Sequence, residues 1–327
     1  MEMKDKSDIR LGIMGCGAIA HAMAEAALHT PHIILSAVAS RSLVKAERFN
    51  EKYHAPYVFD SYEAMVKSDA VDLIYIATPH GLHHEHIKLC LDHHKHVLCE
   101  KAFTINAELA RPLIQQAKQK KLFLMEAMWT RFLPSTQMIQ DVLTSKLLGD
   151  IQSVSINFGS RMSYDASSRL WNPRLGGGAL LDIGVYPLTM MSLLFGKPES
   201  MHSTVEFTPN GVDQKATLKL TYHGFDAILN ISFIEDLSPN ALIINGSQET
   251  LVSDRFWMSS SVSLMQSNEQ FDFPFDVNGY EYELYESALM IQNHHIEHPI
   301  MSHQMTLDML EWMDEIRASW GLKYPVE

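Results

Sequence analysis

The spacing of hydrophobic and polar positions changes once along the chain. From Asp8 to about Ala127, short apolar or β-branched runs alternate with segments of helical periodicity. This alternation predicts strands and helices in turn, which form a parallel sheet with right-handed crossovers. We therefore expect a doubly wound α/β domain over residues 1–127. Its predicted strands are Ile9–Met14, Ile33–Ala39, Val71–Ala77, His96–Cys99 and Phe123–Ala127, and its predicted helices are Ala20–Leu28, Leu43–Lys52, His83–His93 and Asn106–Gln119.

After Trp129 the chain changes to longer alternating segments without helices between them. Such segments predict a mostly antiparallel sheet, so we expect a second, α+β domain over residues 128–327. Helical periodicity occurs before these segments at Ser135–Thr144 and after them at Glu281–Trp320. The predicted strands are Ile151–Phe158, Ser200–Phe207, Ala216–Tyr222, Ala227–Phe233 and Leu242–Gly246. One buried face of the last helical stretch is predicted to carry Met305, Met309, Trp312 and Ile316.

Composition agrees with two folded domains in a reducing compartment. The chain has 327 residues, 46% of them hydrophobic, which is enough to bury two cores. Its three cysteines, Cys16, Cys90 and Cys99, form no C-x-x-C pair. We therefore predict neither a disulfide framework nor a zinc site, and we expect a cytoplasmic protein.

Charge and hydropathy exclude two classes of partner. The formal net charge is −13 with only 26 Lys and Arg residues, so a phosphate backbone or an anionic membrane would be repelled. The segment Met1–Arg10 is charged and lacks the apolar core of a targeting signal. The apolar stretches fall short of the roughly 18–20 residues that a membrane-spanning helix needs. We expect no targeting or transmembrane segment.

A glycine pattern directly follows the first predicted strand and precedes an alanine-rich helix. Gly15 permits a tight turn, Gly17 leaves room for a pyrophosphate, and Ala20 keeps the helix close to the sheet. The N-terminus of the helix then faces the phosphates, so the pattern predicts dinucleotide binding rather than a glycine turn without a ligand. We interpret Cys16 as a small turn residue, not a nucleophile. The predicted loop consists of Gly15, Cys16, Gly17, Ala18, Ile19 and Ala20.

The end of the second strand indicates which dinucleotide is bound. A fold that selects NAD usually carries an acid there for the ribose 2′-hydroxyl, but this chain has Ser40, Arg41 and Ser42. A guanidinium flanked by two hydroxyls suits a 2′-phosphate instead. We predict NADP, with NAD as the second option, against the alternative that Arg41 is only a solvated loop residue.

Two further strand ends carry candidate cofactor residues. The strand that ends at Ala77 is followed by Thr78, Pro79 and His80, with His83 one turn on, at the edge where open parallel sheets hold ligands. Other histidines surround them, but helical spacing spreads these around the helix, so we predict no metal site. The strand that ends at Cys99 is followed by Glu100 and Lys101. Such a pair is often a surface ion pair, but its place in this series predicts a catalytic role.

In the second domain a glycine bend leads into a predicted helix. The bend is Gly176–Gly178, and Asp182 and Tyr186 follow at i and i+4 on one helix face. A phenol is a poor base at neutral pH unless a nearby cation lowers its pKa. Lys101 is the candidate cation, and without it Tyr186 would be read as an ordinary surface tyrosine.

With these residues in view, the chain resembles the Gfo/Idh/MocA oxidoreductases over nearly its whole length, and most closely their dihydrodiol and D-xylose dehydrogenase branch. The resemblance implies that Lys101 is the essential lysine of a Glu-Lys-Pro motif whose proline is Ala102 here. It also implies that Tyr186, where inositol dehydrogenases have histidine, is the acid-base residue beside Asp182. A homodimer through the second sheet is implied in the same way.

The resulting hypothesis is hydride transfer between a nicotinamide and a secondary hydroxyl of a sugar, polyol or cyclic diol. Tyr186 exchanges the hydroxyl proton, Lys101 polarises the oxygen, and Asp182 orients the substrate. The best candidates for pocket walls are Trp129, Arg131 and Trp171, the first two also being cofactor candidates, with Trp257 a weaker one. Two alternatives stay open: a non-catalytic NADP-binding sensor, and an enzyme that reduces another carbonyl compound.

Overall fold

A computed structural model describes residues 7–327, and these form two compact units. The first unit contains the chain up to Trp129 together with Asp276–Leu310, and the second contains Thr130–Phe275 and Glu311–Glu327. Residues 1–6, which belong to the N-terminal segment in which we expect no targeting signal, lie outside the described residues.

The first unit is built on one parallel sheet. Its strands are β1 (Ile9–Met14), β2 (Ile33–Ala39), β3 (Tyr57–Phe59), β4 (Leu73–Ile76), β5 (His96–Glu100) and β6 (Leu124–Ala127). Their order across the sheet is β3-β2-β1-β4-β5-β6, and every neighbouring pair is parallel. The central strands are buried on both faces, which accounts for their continuous apolar runs. The predicted doubly wound sheet is confirmed.

Helices connect these strands and cover the sheet. They are α1 (Ala18–Ala27), α2 (Leu43–Tyr53), α3 (Tyr62–Lys67), α4 (His83–Asp92) and α5 (Ala107–Lys120). Side chains cap two of them, because Ser61 accepts the N–H of Ala64 at 3.2 Å and Asn106 accepts that of Leu109 at 2.9 Å. The other helices begin without such a cap in the part of the chain that the structure describes.

The second unit is built on an eight-stranded sheet. Its strands are β7 (Ile151–Gly159), β8 (Ser200–Phe207), β9 (Asp213–Tyr222), β10 (Phe225–Ser232), β11 (Ala241–Gly246), β12 (Thr250–Asp254), β13 (Ser261–Leu264) and β14 (Glu269–Asp272). The order is β14-β13-β12-β11-β7-β10-β9-β8, and all pairs are antiparallel except β7 with β10. The predicted, mostly antiparallel sheet is confirmed.

The remaining helices are α6 (Pro134–Thr144), α7 (Val185–Phe195), α8 (Tyr280–Gln292) and α9 (His303–Trp320), and a π-helical turn over Leu180–Gly184 leads into α7. By length and composition alone, Pro173–Phe195 could span a membrane. This corrects our expectation that every apolar stretch of the chain is too short to do so. However, 78% of its apolar window is buried inside the protein, as for a core helix of a soluble fold.

Two expectations differ from the structure. The division after residue 127 misses that Asp276–Leu310 returns to the first unit. Hydrogen bonds attach this segment there, because Asn278 donates to the Ala22 carbonyl at 2.9 Å and Leu124 N–H donates to the Ile296 carbonyl at 3.0 Å. In α9, Met305 is expected on the buried face but is 37% exposed, because it shares the outer face of the helix with Gln304 and Asp308, whereas His303 and Thr306 in the same turn are buried.

Candidate functional site

The strand order of the first unit reverses between β1 and β4. From β1 the chain builds towards β3, and from β4 it builds the other way towards β6. The connections that leave the carboxyl ends of β1 and β4 therefore diverge, and the crevice they leave is where open α/β sheets bind ligands. All strand ends singled out in the sequence of this unit lie at this one edge, because the strands are parallel.

The glycine loop after β1 has the shape that a pyrophosphate requires. Gly15 has φ +99°, and a Cβ there would lie 2.9 Å from the Ala77 carbonyl oxygen, so the turn needs glycine. A Cβ on Gly17 would meet nothing within 4 Å among the described residues, so the space in front of this residue is open. Helix α1 starts directly after it, with no capping side chain or first-turn acid in residues 7–327. A dinucleotide pyrophosphate fits these features.

The other residues of the loop support this geometry. Cys16 is half-buried with its Sγ 3.7 Å from the Ala39 carbonyl oxygen, and burial raises the pKa of its thiol to about 11. A neutral thiol agrees with our interpretation of Cys16 as a turn residue. Ala20 is fully buried, whereas Ala18 is exposed and Ile19 half-exposed at the start of α1.

At the end of β2, Arg41 is the exposed member of the serine-arginine-serine group. Ser40 is buried, and its Oγ accepts the backbone N–H of Ser42 at 3.4 Å. Ser42 is the residue from which α2 starts. Within residues 7–327, Arg41 makes no ion pair, and its charge acts on the neighbouring Tyr62 and His86 side chains.

After β4, His83 joins two loops of this edge. Its ring is fully buried, with Nε2 2.7 Å from the Thr78 carbonyl oxygen and Nδ1 2.9 Å from that of Ala102. Burial lowers the pKa of His83, although the two carbonyl oxygens favour the protonated ring. Because both ring nitrogens face backbone, His83 is placed to hold the loops, which corrects our expectation that it contacts the cofactor directly.

The neighbours of His83 complete this loop. Pro79 precedes a short 3-10 turn, and His80 in that turn is buried edge-on against the His83 ring at 5.7 Å. The Thr78 hydroxyl is 2.8 Å from Nδ1 of His86. No group of three or more His, Cys, Asp or Glu side chains within residues 7–327 could hold a metal ion.

Lys101 directly follows β5, beside a cluster of buried carboxyl groups. Glu100 accepts a short hydrogen bond from the Tyr75 hydroxyl, and Glu126 accepts the Phe103 N–H at 3.1 Å. The Lys101–Ala102 peptide bond, where the resembling family has proline, is cis. These contacts fix the chain on both sides of Lys101.

The third carboxyl of this cluster comes from α8 and was not expected from the sequence. Glu283 is fully buried, and neither of its oxygens has a hydrogen-bond partner in the described part of the chain. Burial, and then the charges of Glu100 and Glu126, raise the pKa of Glu283 well above its usual range. The same helix carries Tyr280, whose ring stacks on Trp129 at 4.2 Å, so α8 helps to shape this edge.

In the second unit, the predicted helix that carries Asp182 begins as a π-helical turn. Asp182 lies in that turn and Tyr186 in the first turn of α7, and each is 7% exposed. Arg169 Nη1 lies 2.8 Å from Asp182 Oδ1, an ion pair that we did not predict. Such π-helical turns occur often at functional sites.

Aromatic side chains surround Tyr186 within the same unit. Phe158 lies 5.7 Å from the Tyr186 ring, and Trp257 stacks on Phe158 at 3.7 Å. Trp171, by contrast, is only 1% exposed and donates its indole N–H to the Ser163 carbonyl at 2.9 Å. This burial corrects the expectation that Trp171 forms a pocket wall. Arg131 also belongs to the second unit and is buried.

Comparison with family models assigns both halves of the chain. Residues 9–128 match a model described as "Oxidoreductase family, NAD-binding Rossmann fold". Residues 136–252 match one described as the GFO/IDH/MocA C-terminal domain.

Individual relatives match over almost the full length. The mouse trans-1,2-dihydrobenzene-1,2-diol dehydrogenase is 30% identical over 97% of this chain and 98% of its own. The scyllo-inositol 2-dehydrogenase (NADP(+)) IolU of Bacillus subtilis is 32% identical over 98% of this chain and 99% of its own. A crystal structure of the 3-ketoreductase KijD10 from Actinomadura kijaniata with NADP and TDP-benzene has a TM-score of 0.86 at 27% identity, covering 95% of this chain and 98% of that one.

The two loop glycines provide a first prediction. Gly17→Ala should change the free energy of unfolding by no more than about 1 kcal/mol. Its φ of −88° suits alanine and the space is open, whereas alanine is a weaker N-cap than glycine at the start of α1. The methyl group should nevertheless weaken dinucleotide binding by about 1.4–2.8 kcal/mol, roughly tenfold to a hundredfold, by overpacking the cradle. Fluorescence titration with NADPH and urea unfolding measure the two effects.

Gly15→Ala is the matched variant for this test. Its positive φ and the nearby Ala77 carbonyl should make it destabilising by itself. A Gly17→Ala protein that binds NADPH as tightly as the wild type would show that the open space is not the phosphate cradle.

Glu283 provides a second prediction, on the pH dependence of stability. Its raised pKa means that the folded protein keeps a proton that the unfolded chain has lost, so the free energy of unfolding should fall as pH rises above the ordinary glutamate range. Glu283→Gln cannot ionise and should be more stable than the wild type by an amount that grows with pH. Urea unfolding between pH 5 and 9 measures this difference. The exposed Glu47→Gln on α2 is the control, and parallel curves for wild type and Glu283→Gln would contradict the account.

Proposed function

The chain belongs to the Gfo/Idh/MocA family of oxidoreductases, and we propose that it is an NADP-dependent enzyme that acts on a secondary hydroxyl or carbonyl of a sugar, polyol or trans-dihydrodiol. The predictions of the family, of an enzyme and of a nicotinamide cofactor are confirmed. One observation carries the proposal: Lys101 follows β5 at the same sheet edge at which the open glycine cradle follows β1.

NADP is the proposed form of the cofactor because of the group after β2. The unpaired guanidinium of Arg41, with Ser40 and Ser42 beside it, offers charge and hydroxyl donors to a 2′-phosphate. NAD, which lacks that phosphate, would lose these contacts. The pyrophosphate would be held at Gly15–Ala20, and Thr78 to His80 would line the nicotinamide side of the crevice. When bound, the cofactor supplies or accepts hydride at its nicotinamide ring.

The chain's own residues are proposed to handle the proton and the charge. Tyr186 takes the proton from the substrate hydroxyl in the oxidative direction and returns it in the reductive one. The Lys101 ammonium is proposed to polarise the substrate oxygen. His83 acts on Lys101 indirectly, because its ring holds the Ala102 carbonyl directly after the lysine.

The second unit supplies the groups proposed to recognise substrate. Phe158 and Trp257 form an aromatic surface beside Tyr186, and such surfaces pack against the apolar face of a sugar or cyclic diol. Asp182 is proposed to accept a hydrogen bond from a substrate hydroxyl, with its charge balanced by Arg169. The names of the diol and inositol dehydrogenases among the relatives support this substrate class.

The assembly and location of the enzyme are part of the proposal. We propose a homodimer formed through the sheet of the second unit, in the cytoplasm. The side chains of Thr217, Asn230 and Asn157 form a hydrogen-bonded row across three neighbouring strands of that sheet, at 2.8 Å and 2.9 Å. An ordered polar row of this kind offers a second copy regular hydrogen-bonding partners.

Cofactor selection gives a third prediction. Arg41→Ala should weaken NADPH binding by about tenfold to a hundredfold, the usual contribution of a hydrogen-bonded charge, and leave NADH binding nearly unchanged. Fluorescence titration of both cofactors measures the two affinities. Arg48→Ala, an exposed arginine on α2, is the matched control and should change neither. Equal losses for NADPH and NADH in Arg41→Ala would show that Arg41 does not read the 2′-phosphate.

Lys101 gives a fourth prediction. Lys101→Met should lower turnover by about 10²- to 10³-fold, the usual effect of losing one group that stabilises developing charge, and leave NADPH affinity nearly intact. Steady-state assays and NADPH titration separate the two effects. Lys88→Met, an exposed lysine on α4, should behave like the wild type. Near-wild-type turnover of Lys101→Met would remove the lysine from the mechanism.

A further inference from the structure

Asp213 joins the second sheet to the π-helical turn that carries Asp182. It opens β9, is completely buried, and accepts the backbone N–H of Leu180 on its Oδ2 at 2.6 Å. Leu180 is the first residue of that turn. A carboxylate of the sheet therefore receives one of the N–H groups that a helix start leaves without a partner.

Burying the charge of Asp213 costs free energy, which its hydrogen bond and nearby charges offset. Burial raises the pKa of Asp213 to about 6, while the Leu180 N–H and the charge of Arg317 act in the opposite direction. Both of these influences favour the anionic form, and a charged acceptor makes a stronger hydrogen bond than a neutral one. Its negative charge also lies at the favourable, N-terminal end of the helical segment.

The glycine bend before the turn is fitted around this carboxyl. Gly178 has φ +128°, and a Cβ there would collide with Oδ1 of Asp213. Its N–H donates to the Leu170 carbonyl at 2.9 Å, and the Gly177 carbonyl accepts the Tyr324 hydroxyl at 2.7 Å. The bend is thus held by β9, by the loop before it and by the C-terminal segment. Any movement of Asp213 would change the start of the turn.

We propose that Asp213 is a positioning residue that fixes the turn bearing Asp182 and, through it, the start of α7 with Tyr186. The Asp182 N–H bonds the Gly178 carbonyl at 3.3 Å, so the bend and the turn move together. Asp213 does not touch substrate in this account. An effect of Asp213 on turnover rests on the proposed role of Tyr186. An effect of Asp213 on the order of the turn does not.

The first test measures hydrogen exchange in the intact protein and needs no substrate. Asp213→Ala should speed exchange of the backbone amides over residues 178–186 by about tenfold to a hundredfold, the effect of leaving a buried N–H without its charged partner. Asp213→Asn keeps an oxygen for the Leu180 N–H and should restore most of the protection. Asp226→Ala, which removes a half-exposed aspartate of β10 bonded to Thr221 and Lys219, should exchange over residues 178–186 like the wild type.

The second test uses the same variants in NADP-dependent turnover. Asp213→Ala should lower kcat about tenfold or more with NADPH affinity unchanged, since the cofactor cradle lies in the first unit, and Asp213→Asn should recover most of kcat. Unchanged exchange over residues 178–186 in a folded Asp213→Ala protein would overturn the proposal. Faster exchange there with wild-type kcat would overturn only the role assigned to Tyr186. Should Asp213→Ala fail to fold, Asp213→Asn becomes the test. Exchange over residues 178–186 that is faster than in Asp226→Ala, with wild-type exchange elsewhere, supports the account. Exchange that is unchanged within the turn, or faster to the same degree everywhere, contradicts it.

Discussion

Parallel pairing of six strands is the constraint on which the chemistry of the first unit depends. Because all strands of this sheet run the same way, the segments after β1, β2, β4, β5 and β6 emerge at one edge. The reversal of order between β1 and β4 then opens a crevice there without any further device. The glycine cradle, Arg41 and Lys101 are far apart in sequence, and the sheet alone brings their strand ends to this edge. Burial of the strands on both faces supplies the free energy that maintains it.

Around the functional segments the protein buries polar groups that a purely structural core would avoid. His83 directs its ring nitrogens to the backbone carbonyls of Thr78, after β4, and of Ala102, directly after Lys101. Asp213 holds a helical turn through a buried carboxylate. Burying such a group without a partner would cost several kcal/mol of folding free energy. Its presence therefore marks the segment that it binds as one whose position matters. Glu283 is the third example. Three buried carboxylates would repel one another, and burial together with the charges of Glu100 and Glu126 raises the pKa of Glu283, which favours its neutral form.

The regular parts of both units could be predicted from sequence because their strands and helices give strong periodic patterns. Strand β3 has only three residues and α3 six, too short for a periodic signal. The loop glycines could be predicted because backbone geometry dictates their residue type.

Spacing along the chain does not specify long-range contacts between side chains and loops. Arg169–Asp182 and Asp213–Leu180 join residues 13 and 33 positions apart, through loops and the start of a strand. The same limit applies to Glu283, whose helix returns to the first unit from the far end of the chain, and to Trp171, whose size suited a pocket wall but whose environment is core.

The most direct test of the account is a titration of the purified protein with NADPH and NADH, followed by NADP-reduction assays with pentoses, hexoses, inositols and cyclic trans-diols. The account predicts tighter binding of NADPH than of NADH and turnover with one class of hydroxylated substrate, with no metal ion added. Tight NADPH binding without turnover in either direction on any class would contradict the proposed substrates. Failure to bind either cofactor would contradict the reading of the glycine cradle itself.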